Sequence, residues 1–128
     1  MNHWYTISIG GIPLFKVEKV NGTCSVIKLK EPTRITGEIS IEFREWLLKQ
    51  KLEQSKAVIF DADNLIFIDS MGIASFIALY KKLSQSRIPI VLCGLSPDLK
   101  NLFMMLKLNT LFDIDCDSVS MALERFGR

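Results

Sequence analysis

Residues 57–74 read Ala57-Val58-Ile59-Phe60-Asp61-Ala62-Asp63-Asn64-Leu65-Ile66-Phe67-Ile68-Asp69-Ser70-Met71-Gly72-Ile73-Ala74. Two short apolar runs, 57–60 and 65–68, each stop at an aspartate. Unbroken runs rich in branched and aromatic residues, closed by turn formers, predict strands covered on both faces. After Ser70 the period changes. Ile73, Phe76, Ile77, Tyr80 and Leu83 recur every three or four residues, the spacing of one helix face, so Ile73, Ile77 and Leu83 are expected to pack inward.

Downstream the alternation continues. Ile90-Val91-Leu92-Cys93 predicts a strand, and Ser96-Pro97-Asp98 supplies an N-cap, a proline at the first helical position and an early acid. Leu99, Leu102, Phe103 and Leu106 then share a face, and Met104-Met105 read as core filling. Leu111, Phe112 and Ile114 suggest a last strand. Residues 118–126 suggest a terminal helix with Val119, Ala122, Leu123 and Phe126 facing in. Strands alternating with helices predict a largely parallel α/β sheet.

Upstream the period is that of strands. Residues 5–9 alternate, Gly10, Gly11 and Pro13 punctuate, and residues 14–29 predict a β-hairpin about Asn21-Gly22, which makes the sheet mixed. Ile39, Phe43, Trp46, Leu47 and Leu52 predict an amphipathic helix over residues 37–54, its charged face solvated. The expected architecture is one α/β domain over 1–128, with a core spanning 14–126.

Composition narrows the function. The chain has 128 residues, 48% hydrophobic and 23% charged, and a net charge of +2, which fits one globular domain and gives no basic face for nucleic acid. No apolar run approaches the roughly 20 residues of a membrane helix. The first ten residues lack a basic start, an apolar stretch and a cleavage site, so a cytoplasmic protein is expected. Cys24, Cys93 and Cys116 show no CxxC spacing and read as reduced, buried thiols rather than metal ligands or disulfides. His3 is the single histidine and lies near the chain end, a poor place to fix a catalytic base or a metal. No cofactor or metal is expected.

Two constellations could carry chemistry. Val58-Ile59-Phe60-Asp61-Ala62-Asp63 superficially resembles the first motif of haloacid-dehalogenase-type phosphatases, but the lysine, further acids and larger sheet of that chemistry are missing. Asp61, Asp63 and Asn64 are read as turn formers, and the chain is expected not to be an enzyme. At Asp69-Ser70-Met71-Gly72 a strand runs straight into a helix. Either Asp69 or Ser70 could be the N-cap. Gly72 costs helix stability of about 0.5–1 kcal/mol relative to alanine, which makes sense where another backbone or a partner surface comes close. Ser70 would then sit at an exposed helix start, a favourable place for a phosphate.

The run from Asp61 through Ile73 strongly resembles the signature of STAS domains, in particular the anti-sigma factor antagonists. The resemblance continues in order through Val91-Leu92-Cys93-Gly94-Leu95, Ser96-Pro97-Asp98-Leu99-Lys100-Asn101-Leu102-Phe103 and residues 108–113, and covers roughly residues 24–126. It implies a partner: an anti-sigma factor that is also a serine kinase, with a histidine-kinase-like ATP fold. The unmodified antagonist captures that kinase and frees the sigma factor. Phosphorylation of one serine, here Ser70, ends capture, and a phosphatase resets it. The resemblance places Asp69, Ser70, Met71, Gly72, Ile73 and Arg34 at the partner surface. Asp69 would orient the hydroxyl or the recognition loop. Met71 stands where the family commonly has a serine or threonine, leaving Ser70 the sole hydroxyl of the loop. Arg34 stands where it commonly has an aspartate, which implies compensating charge on the partner. The alternative within the fold is a STAS subunit of a lipid-transport or stress-signalling assembly without a phospho-switch.

Overall fold

The chain opens with two reversals. Tyr5–Thr6 (β1) turns through Gly10 and Gly11 into Pro13–Val20 (β2), which pairs antiparallel with it. β2 then turns into Cys24–Leu29 (β3) through Asn21 and Gly22, both at positive φ, the conformation that suits a tight hairpin. Then follow Thr33–Ile35 (β4), Glu38–Lys49 (α1), Ala57–Asp61 (β5), Leu65–Ile68 (β6), Ser70–Ser84 (α2), Ile90–Cys93 (β7), Pro97–Met105 (α3), Asp113–Cys116 (β8) and Val119–Phe126 (α4). The computed structural model describes residues 3–127; Met1, Asn2 and Arg128 of the expected domain lie outside the described residues.

Six strands form a mixed sheet in the order β1-β2-β3-β5-β7-β8, with β3, β5, β7 and β8 parallel. The pleat sends alternate residues to opposite faces. Ile27, Val58, Phe60, Ile90 and Leu92 join the larger core under α1 and α2, while Val26, Ala57, Ile59, Val91 and Cys93 join a smaller one under α4. The three cysteines are buried and not joined as disulfides. Through the larger core the rings of Phe15, Phe43, Phe60, Phe76 and Phe112 touch in series, with centroids 5.0–6.2 Å apart.

Several expectations are corrected. β6 is not covered on both faces and lies outside the main sheet: it pairs with β4 in a separate two-stranded ribbon, and Ile66 and Phe67 are exposed. α1 ends at Lys49, not at residue 54. Gln50 turns extended, and Lys82 Nζ donates to the carbonyls of Leu48 and Gln50 at 2.9 and 3.2 Å, satisfying groups a longer helix would have paired. Leu52 is still buried, but from a loop. Met104, Met105 and Leu106 are exposed: the two methionines lie off the face that buries Leu99 and Phe103, and α3 ends before Leu106, with Lys107 in a left-handed conformation. The last strand begins at Asp113, past Leu111 and Phe112. β1 ends at Thr6 because the Ser8 N–H donates to Glu42 rather than to β2. In α2, Ile73 and Leu83 are buried as expected, whereas Ile77 is only partly covered.

Candidate functional site

The start of α2 is built around one carboxylate. Asp69 is the N-cap: its backbone is extended and its Oδ1 accepts the Gly72 N–H at 2.9 Å. The same Oδ1 accepts the buried Ser40 hydroxyl at 2.6 Å, and Oδ2 accepts the Gly37 N–H at 2.9 Å. Gly37 stands at positive φ before α1, where no local side chain caps the helix. Asp69 thus serves two helix starts at once. Its N–H also donates to the Ile35 carbonyl at 3.0 Å, tying it to β4.

Partial burial pushes the Asp69 carboxyl up, but the donors Ser40, Gly72, Gly37 and Met71 together outweigh that and hold it below the usual aspartate range. A depressed folded-state value means the contribution is fully present above the unfolded pKa near 3.9 and is lost as pH falls through the lower folded value. Asp69→Ala should lower stability at pH 7 by about 1–2 kcal/mol and flatten the acid limb of the stability curve below about pH 4. An unchanged acid limb in chemical denaturation would show that the carboxylate is not the common cap.

With Asp69 occupied as the cap, Ser70 is the first helical residue and is exposed. Met71 beside it is 46% exposed. The two share a shallow groove with Ala74 of α2 and Ile41, Arg44 and Glu45 of α1. Arg34 is exposed on β4, its guanidinium 5.6 Å from the centre of the Phe67 ring. Gly72 and Ile73 are buried, so their part in any partner surface is to shape it from beneath.

The close approach at Gly72 is internal. A Cβ there would meet Ile68 Cγ1 at 2.5 Å and Ile35 Cγ2 at 3.1 Å, both side chains of the β4–β6 ribbon, not a backbone or a partner. Gly72→Ala should therefore destabilise by about 1–2 kcal/mol despite alanine's better helix propensity, since the buried Ile68 has little room to move. A variant melting at or above the parent would show that the ribbon yields.

Asp61 and Asp63 shape a turn. The Asp63 N–H donates to Asp61 Oδ1 at 3.1 Å, and the Asp63 carboxylate lies against Gly94, which has φ +76. Burial pushes the Asp61 carboxyl up.

The sequence reading missed Ile41, Ile66 and Phe67 as surface groups. Ile41 had a signal, since it is out of phase with the buried Phe43, Trp46 and Leu47 and the partly buried Ile39. Ile66 and Phe67 had none, because an apolar run gives no hint of which sheet it joins. No helix among the described residues is long and apolar enough to cross a membrane.

The STAS domain family model matches residues 15–122. An anti-sigma-factor antagonist (STAS) domain protein from Planctomyces limnophilus superposes with a TM-score of 0.76 at 16% identity, over 88% of this chain and 96% of that one. The anti-sigma factor antagonist SpoIIAA in its unphosphorylated form gives 0.69 at 18% identity, over 87% and 94%. SpoIIAA, a Bacillus cell fate determinant, is also similar in its phosphorylated form, at 0.60 and 18% identity over 87% and 97%. The murine Solute Carrier 26 family member A9 anion transporter gives 0.52 at 18% identity, over 64% of this chain and 13% of that one. At such identities the likeness carries the fold alone.

Proposed function

This chain belongs to the STAS domain family, and on that premise we propose that it is an anti-sigma factor antagonist switched by phosphorylation of Ser70. In this reading the unmodified Ser70 face captures an anti-sigma factor with serine kinase activity, and the sigma factor is released. The kinase then transfers the γ-phosphoryl group of ATP to Ser70 Oγ, ADP leaves, and the grip is lost until a phosphatase removes the phosphate. The chain itself carries out no catalysis.

The observation that supports this most is the division of labour between Asp69 and Ser70. Asp69 is consumed by the two helix starts, which leaves the Ser70 side chain outside the fold's own hydrogen bonding and open to a kinase. Around it stand the apolar groups Met71, Ala74 and Ile41, together with the charged Arg44 and Glu45. Exposed apolar groups beside polar ones are the make-up of a protein interface. A phosphate of about −1.5 to −2 charge among them changes both desolvation and repulsion. Arg34, exposed on β4, gives the partner a cation to match.

Incubation with the serine-kinase anti-sigma factors of the same genome and ATP, followed by peptide mass mapping, tests this. The expected result is one added phosphate, on Ser70. A second reading is a constitutive STAS subunit of a lipid-transport or stress-signalling assembly; the likeness to the anion transporter bears on it through the fold alone. It predicts binding without phosphate transfer.

A further inference from the structure

The residues ahead of the family match form a strap fastened to α1. Tyr5 stacks on Phe15 at 6.0 Å between centroids and meets Trp46 at 6.4 Å. Ile7 is buried, and its N–H donates to the Ile12 carbonyl at 2.8 Å, closing a turn in which Gly10 and Gly11 both take positive φ. Glu42 of α1 holds this turn. It accepts the Ser8 N–H on both oxygens at 3.0 Å, the Ser8 hydroxyl at 3.2 Å and the Tyr5 hydroxyl at 2.9 Å.

The result is two isoleucines held outward, Ile9 at 46% and Ile12 at 40% exposed. A single exposed apolar side chain needs no explanation; two on a turn ordered by three donors to one carboxylate do. Their position supplies it. At 100° per residue, Glu42 faces the strap on one flank of α1, while Ile41 and Glu45 ride the crest and line the Ser70 groove on the other. Strap and groove thus flank the exposed crest of α1 on either side. A stable interface takes about 800 Å² and 20–30 residues from each side, far more than the groove supplies.

We propose that this strap is the outer half of the docking surface: the kinase that seats on the Ser70 groove straddles α1 and covers Ile9 and Ile12 with an apolar patch of its own. The inference rests on the reading of the Ser70 face given above. Because the family match begins at residue 15, the strap is a contact this chain adds to the shared domain, and it selects among related kinases.

The test titrates each serine-kinase anti-sigma factor of the same genome against the full chain, the Ile9→Ser/Ile12→Ser double variant and Ser70→Asp. The expected result is a partner bound by the parent and bound about tenfold or more weakly by the double variant, as covering two half-exposed isoleucines implies. The double variant's melting temperature should stay near the parent's, since both side chains are exposed. Amide exchange in the parent complex guards against a folding defect: residues 8–12 should slow on binding. If the double variant binds as the parent does and those amides are unmoved while Ser70→Asp weakens binding, the strap proposal falls and the Ser70 reading stands. If no kinase binds the parent, both fall.

Discussion

Ser70→Asp should bind the kinase partner at least about 10–100-fold more weakly than the parent, a loss of about 1.4–2.8 kcal/mol, while melting within a few degrees of it. The two effects separate because they act in different places. At the first position of α2 an acid sits at the positive end of the helix dipole, which favours negative charge by about 0.3–1 kcal/mol. At the interface the same acid must be desolvated among Met71, Ala74 and Ile41, beside the Asp69 carboxylate. Ser70→Ala adds no charge and leaves the cap in place, since Asp69 and not Ser70 accepts the Gly72 N–H. It should bind like the parent and accept no phosphate. Calorimetric titration of the three proteins against one kinase decides the matter. If both variants bind like the parent, Ser70 has no part in recognition and the constitutive-subunit reading takes its place.

Phe43→Ala should be the most damaging of the single truncations, at about 3–5 kcal/mol. Phe43 is fully buried, and its ring meets those of Phe15, Trp46, Phe60 and Phe76 at 5.1, 6.1, 6.1 and 5.6 Å. It is where α1, α2, the hairpin and the central strand β5 come together. Removing the ring deletes edge-on and tilted contacts on every side and leaves a void that four different elements cannot all close. Against a total stability of about 5–15 kcal/mol, that is a large share. The melting temperature should fall by roughly 10–20 °C. A fall of less than a few degrees would mean that the neighbouring rings refill the space.

The central α/β alternation was legible because β5, α2, β7 and the capped start of α3 each have a period or a cap signal of their own. Ser96, for instance, accepts the Leu99 N–H as its sequence position implies. What could not be read depends on partners distant in sequence. Nothing local says that Lys82 will close the end of α1, so the apolar period runs on past the helix's true end. Nothing local says that β6 joins β4 rather than the main sheet. At the site, the sequence left Asp69 and Ser70 as equal cap candidates. Ser40 and Gly37, about thirty residues away, settle which one the fold uses. The strap was invisible for the same reason, because its anchor Glu42 is 34 residues from Ser8.

Asp69 grips α1 at its beginning, and Lys82, from the far end of α2, grips it at its finish. Two rods tied at both ends resist splaying about either end alone. In the function proposed above, a negative mark on Ser70 would then act outward, as an altered face presented to whatever leans on it. Under that function, the molecule would behave as a stamp whose ink changes and whose block does not. That would suit a part written on and wiped clean many times without having to refold.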